Sequence, residues 1–370
     1  GLVFAVIVVT RPVLVTDALG GSSDLIFLAL VLWSAVLIAE ARGPSAVVLG
    51  PMLAAGLLRP EAWLLSVAYV AYCWPATTGR RRRSLAGLAL AAPVMWLGLD
   101  LVVTGHPLFS LTRTQDLAVQ LVRAHSLSSA MAVLPRFLHD NLGGEVFWCG
   151  AAGALLTCGL APVRAFIPAA LILAGALGFL ALGLARLPLL TRYALLPTLG
   201  LALFAAVLAA QRPSEGSGAP SRWAWRVARA ATIGILLASA PSTARQLSNI
   251  TTFFGRRAGA EADLRRLLYQ PAVADRVCDQ IVVASPFQVP LAAWWLRRPS
   301  SAVVVRSVPP LPGLYVVAAD ARTAGLLDFT GSAPAVATSS ALPGSERLAA
   351  TRHWRAFSLC RGKPIPTTGR

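Results

Sequence analysis

Lysine is nearly absent from this chain: Lys363 is the only one, and every other basic residue is arginine. Charge of any sign is scarce. Charged residues fill 13% of 370 positions, where a soluble domain carries about 25%. Hydrophobic residues reach 56% and mean hydropathy is +0.65. That balance excludes an ordinary soluble domain. No fixed-period repeat is present, which excludes a solenoid. The opening "GLVFAVIVVT" holds no dinucleotide or phosphate loop. A net charge of +17 raises the question of nucleic acid. No basic stripe carries interleaved aromatics, however, so no nucleic-acid partner is expected. Cysteine is limited to five residues, whose spacing does not suggest zinc. Cys73, Cys149 and Cys158 lie in apolar blocks and read as inert. Cys278 and Cys360 fall in the C-terminal tail. They are a disulfide candidate if that tail is outside the cytoplasm, the alternative being two unpaired thiols.

What the chain does have is apolar blocks. They run approximately over 1–16, 25–39, 44–58, 61–76, 84–103, 145–161, 165–185, 190–210 and 227–241. Several approach the roughly 20 residues that cross a bilayer. This predicts a polytopic α-helical membrane protein with about eight to nine transmembrane helices over 1–241. The first residue is Gly inside an apolar run, with no n-region or cleavage site. The expectation is a chain that lacks its own N-terminus.

Composition shifts sharply in 242–370. "EADLRRLLYQPAVADRV" (261–277) and "FQVPLAAWWLRR" (287–298) read as helices. "IVVAS" (281–285), "AVVVRSV" (302–308) and "LYVVAA" (314–319) read as strands. The tail is expected to be a small α/β domain, with a loop at 331–345. Trp294 and Trp295 read as core or membrane-interface residues. The 104–143 loop has rough helical periodicity and is expected to lie on the membrane surface as an amphipathic helix.

Arginines orient the chain. With "GRRRRS" (79–84) in the cytoplasm, Arg42, Arg80–Arg83, Arg164, Arg212, Arg222 and Arg226 fall inside. Arg11, Arg59, Arg113, Arg123, Arg136, Arg186 and Arg192 fall outside, and so does the tail.

The charges of "LLRPEAWLL" (57–65) interrupt a run from Ala46 to Pro75 that is too long for one helix. Proline suits a first helical turn and disfavours helix in the residue before it. A tight turn is therefore expected, with Arg59 and Glu61 at the outer membrane face. The bland reading is a solvated turn. "RLPLLTRY" (186–193) lands on the same side, as do Asp17 and Asp24 of "TDALGGSSD", Asp100, and His106 of "TGHPL". Arginines clamp phosphates through forked hydrogen bonds, and a carboxylate can take a proton from a hydroxyl. Sugar transfer from a lipid phosphate needs both. His125, His139 and His353 read as surface residues, so neither a metal nor another cofactor is expected.

"LGGSSDLIFLALVLWSAVL", "LLRPEAWLL" and "RYALLPTLGLAL" resemble actinobacterial membrane proteins of the GT-C glycosyltransferase class, akin to the protein mannosyltransferases. The resemblance covers most of 1–241. It implies a polyprenyl-phosphate-linked sugar donor, used on the outer face of the cytoplasmic membrane. Arg59 and Arg192 would then face the lipid phosphate with Tyr193 and His106 nearby. Asp24, Glu61 and Asp100 would be the candidate catalytic carboxylates. The class usually keeps its key acid in the first outer loop, which this chain is expected to lack. Two other readings stand beside it: a transporter or flippase for a lipid-linked substrate, and a catalytically silent scaffold.

Overall fold

The computed structural model describes residues 1–40, 43–120, 124–211, 219–275, 280–285, 288–305, 312–326 and 344–359. Cys278 and Cys360 lie outside these, as does nearly all of the expected 331–345 loop. The chain divides into two compact units, Gly1–Leu247 and Ser248–Arg370.

The first unit is helical. It contains α1 (Leu2–Val9), α2 (Pro12–Leu19), α3 (Asp24–Glu40), α4 (Leu49–Leu58), α5 (Glu61–Cys73), α6 (Gly79–Thr104), α7 (Phe109–Gln120), α8 (Leu127–Leu142), α9 (Gly144–Leu160), α10 (Pro162–Leu184) and α11 (Leu195–Ala210). α12 (Ala219–Leu268) follows. Among the described residues, four helical stretches are long and apolar enough to cross a membrane, or up to six if each bent pair counts as one span. The bends are 69° between α1 and α2 and 111° between α8 and α9. This is the build of a helical membrane protein.

Several expected blocks resolve differently. Block 1–16 is broken at Arg11-Pro12. There Arg11 donates to the Ile7 and Leu142 carbonyls, at 3.1 and 2.6 Å, and replaces helix bonds lost at the break. Block 227–241 runs on without interruption to Leu268, with no further proline in the helix after Pro241. The expected surface helix of 104–143 is two helices. α8 buries Ala130, Asn141 and Leu142 against the helices beside it.

The α4–α5 hairpin positions the site. Arg59 ends α4 with φ −148° and ψ 126°, the extended geometry that a following proline imposes. Each arm is short: α5 has 13 residues, about 20 Å at 1.5 Å per residue. The neighbouring α6 has 26, about 39 Å. The hairpin tip therefore stops far below the end of α6. Gly56 packs so closely on Ala92, the midpoint of α6, that a Cβ on Gly56 would stand 2.9 Å from the Ala92 Cβ. Trp63 and Trp96 meet edge-on at 5.9 Å just beyond. The Arg59 turn thus sits near mid-height of α6, short of that helix's far end.

Packing around the hairpin is apolar. Phe27, Leu49, Met52, Leu65, Leu195 and Leu199 form one buried cluster across α3, α4, α5 and α11. α9 and α11 approach through glycines: a Cβ on Gly153 would stand 2.5 Å from the Phe204 carbonyl oxygen. Small residues let helix backbones meet in membranes in this way.

The second unit adds α13 (Pro271–Ala274), β1 (Ile281–Val283), α14 (Gln288–Trp295), β2 (Val303–Val305), β3 (Leu314–Ala318), α15 (Ala321–Leu326), β4 (Glu346–Ala350) and β5 (Trp354–Ser358). The sheet order is β2-β1-β3-β5-β4. β1 pairs in parallel with β2 and β3, while β5 runs antiparallel to β3 and β4. The last two strands were not expected from the sequence. The end of α12 packs on this sheet through Leu264, Leu267 and Leu268. Trp354 Nε1 donates to the Ala260 carbonyl at 2.7 Å. His353 Nδ1 lies within hydrogen-bond distance of Asp263 Oδ2, at 2.7 Å, so this histidine is tied to the end of α12 rather than being a simple surface residue. Trp295 packs on the core, whereas Trp294 is 80% exposed.

Candidate functional site

Asp24 opens α3, Arg59 and Glu61 flank the α4–α5 turn, and Arg192 and Tyr193 lie in a short 3-10 turn, Thr191–Ala194, before α11. The fold brings all five together. Arg59, Asp24 and Glu61 are 6%, 3% and 6% exposed. A solvated turn is thereby ruled out.

Arg59 is held from every side. Its Nη1 lies 3.2 Å from Asp24 Oδ1 and donates to the Arg192 carbonyl at 3.1 Å. Its guanidinium carbon stands 5.1 Å from the centroid of the Phe27 ring and 4.9 Å from that of Tyr193. A desolvated cation between two ring faces is stabilised by the ring quadrupoles. Asp24 Oδ2 accepts from the Ser22 hydroxyl at 2.7 Å, so both its oxygens are engaged. Glu61 is different: its Oε1 is 3.9 Å from Arg59 Nε, too far for a hydrogen bond. Its Cβ instead stands close to Gly178 of α10.

Four atoms around this point are buried with no hydrogen-bond partner: Arg59 Nη2, both Glu61 carboxylate oxygens and Asp17 Oδ2. Buried polar groups are nearly always satisfied, so such a concentration marks a place where something polar belongs. Asp17, near the end of α2, is in electrostatic range of Asp24, Arg192 and Arg59. It is half-buried and so more accessible than Asp24 or Glu61. The Arg192 side chain is exposed and makes no ion pair among the described residues.

Asn141 supports the 3-10 turn from α8. Its Nδ2 donates to the Thr191 carbonyl and to Thr198 Oγ1, both at 3.2 Å. Phe27 and Asn141 were not among the residues selected from sequence. Asp17 was placed on the same side as Arg59 but given no role, although it and Asp24 bracket the Gly20-Gly21 turn seven residues apart.

Asp100 and His106 do not join the cluster by any hydrogen bond or ion pair among the described residues. Asp100 accepts from the Ser110 backbone N–H and hydroxyl, at 2.9 and 2.6 Å, and so ties α7 to α6. His106 is exposed. Among the described residues no group of three His, Cys, Asp or Glu is placed to hold a metal ion.

Below the cluster an apolar groove of about 400 Å³ runs between α3, α5 and α10. It starts at Leu64 and Leu177, beside Glu61 and Gly178. It ends at Ile38, Tyr72 and Phe166, where the last two rings meet at 5.1 Å. The arrangement can hold an anion on arginine, accept hydrogen bonds on spare carboxylate oxygens, and seat a hydrocarbon chain below.

No family model matches the chain, and no curated protein or solved structure matches it.

Proposed function

We propose that the protein is a membrane glycosyltransferase of GT-C type, moving a sugar from a polyprenyl-phosphate donor to an acceptor outside the cytoplasm. The observation that carries this reading is the set of unpartnered buried atoms at Arg59, Glu61 and Asp17, set directly above an apolar groove. The cluster has three carboxylates, Asp17, Asp24 and Glu61, against two arginines, Arg59 and Arg192. A bare anion would meet an excess of negative charge. A sugar phosphate suits it better: its phosphate takes Arg59 Nη2 and the Arg192 guanidinium, and its hydroxyls donate to the spare carboxylate oxygens. The polyprenyl chain occupies the groove.

In the transfer, an acceptor hydroxyl oxygen bonds to the anomeric carbon as that carbon's bond to the phosphate oxygen breaks. The phosphate leaves with the electron pair and is stabilised by the arginines. The acceptor proton goes to Asp17, whose Oδ2 has no other partner. Asp24 is occupied by Arg59 and Ser22, so its part is to hold the arginine in place.

A crossing count of eight to nine belongs to the same proposal. It requires the short helices α3, α4 and α5 to cross a locally thinned bilayer. With the arginine-rich end of α6 in the cytoplasm, the second unit lies outside.

The test is turnover in proteoliposomes with a polyprenyl-phosphate-linked sugar. Arg59→Ala should abolish transfer, and Asp17→Asn should lower kcat by about 10²-fold or more. Unchanged turnover in correctly inserted Arg59→Ala protein would defeat the phosphate role.

One observation favours a second reading. Buried charges near mid-height of a long helix, on a hairpin with short arms, also occur in transporters. Uptake of a lipid-linked sugar without bond cleavage would select that reading.

A further inference from the structure

We propose that the groove between α5 and α6 binds an anionic phospholipid of the bilayer, with an acyl chain between the helices and the phosphate on Arg80 and Arg83. This site lies at the opposite end of the α4–α5 hairpin from the Arg59 cluster and does not depend on the function proposed above.

The groove is about 440 Å³, within the range of ligand pockets. Its walls are Val67, Val70 and Ala71 of α5 and Ala86, Ala89 and Leu90 of α6. The alanines make the space, and no polar side chain lines it. Trp74 closes the end nearest the start of α6. The indole is fixed there by Arg82, whose guanidinium carbon lies 4.3 Å from the ring centroid. Arg82 also donates to the Trp74 and Thr77 carbonyls, both at 2.8 Å. Arg82 is therefore committed to the turn, and Arg81 donates to the Pro44 carbonyl.

Arg80 and Arg83 remain. Both are exposed, and no ion pair reaches them among the described residues. Arg83, Ala86 and Leu90 follow one another at i, i+3 and i+7, so Arg83 stands one turn outside the groove on its own face. Arg80 stands one turn further out. No acidic residue occupies the first turn of α6, whose N-terminus adds partial positive charge. An oily slot with a cationic outer end matches the two halves of an anionic lipid. Free phosphate would leave the slot empty, and a peptide backbone would find no hydrogen-bonding side chains in it.

Native mass spectrometry of the purified chain tests this, titrated with phosphatidylglycerol and phosphatidylcholine of identical acyl chains. Retention of phosphatidylglycerol should exceed that of phosphatidylcholine. Each arginine near the surface contributes roughly a fivefold preference, so Arg80→Gln with Arg83→Gln should reduce it about 25-fold. Leu90→Trp fills the groove from an exposed position, sparing the core, and should cut retention with both arginines intact. Equal retention of the two lipids by the unaltered chain overturns the proposal. So does a loss with the arginine variants and none with Leu90→Trp, which would mean diffuse charge attraction. Monodisperse elution of each variant controls for folding.

Discussion

At Arg59 one guanidinium holds three separate stretches of chain. It pairs with Asp24 on α3, donates to the Arg192 carbonyl before α11, and lies between Phe27 and Tyr193. Burying a charge costs several kcal/mol unless it is paired. Removing one partner strands the others. Arg59→Met should therefore destabilise the protein by about 3–5 kcal/mol, read as a fall in melting temperature in detergent. Adding Asp24→Asn should recover part of that loss, because it removes the stranded charge. A neutral effect of Arg59→Met would mean the cluster is hydrated. Much of this site was legible in sequence, since charges inside apolar runs stand out. Arg59, Glu61, Asp24 and Arg192 were readable for that reason. Phe27 was not, because a phenylalanine in an apolar helix carries no signal. Asp100, selected with them, makes its hydrogen bonds to Ser110 and, among the described residues, none to the cluster. Position along a helix reports depth, but not which neighbour the side chain faces, and Asp100 faces Ser110.

The elements repeat the lesson. Pro60 announced the break between α4 and α5, and the dihedral angles of Arg59 follow from it. The depth of that break was not readable, because it depends on how far α6 continues past the hairpin. β4 and β5 escaped notice because "ERLAA" and "WRAFS" carry arginines in short runs, and their pairing with β3 is long-range. The helix contacts have a sharper consequence. Gly153 faces the Phe204 carbonyl, whereas Gly159 on the same helix meets nothing within 4 Å. Gly153→Ala should destabilise by about 1–3 kcal/mol through overpacking. Gly159→Ala should be neutral or slightly stabilising, since alanine favours helix. Thermal unfolding of the two variants side by side checks the contrast. Equal melting temperatures would refute close α9–α11 packing.

Across the whole molecule, two ends of one short hairpin carry two kinds of charge. The tip holds a buried mixed cluster near mid-height of α6, over the groove of α3, α5 and α10. The base holds exposed arginines beside the groove of α5 and α6. Composition announced a membrane protein, and four to six helical stretches of the right length and apolarity among the described residues agree. The division of labour between the ends was hidden, because it arises only when the hairpin folds against helices of different length. The central claim is that the tip binds a lipid phosphate. Its most direct test is equilibrium binding of polyprenyl phosphate to the purified chain and to Arg59→Met, with Arg113→Gln, an exposed position on α7, as control. Losing one partner of a buried charge-assisted contact costs about 2–5 kcal/mol. Arg59→Met should therefore weaken binding roughly thirtyfold or more, and Arg113→Gln should leave it unchanged. Equal affinity of the unaltered chain and Arg59→Met would contradict the account.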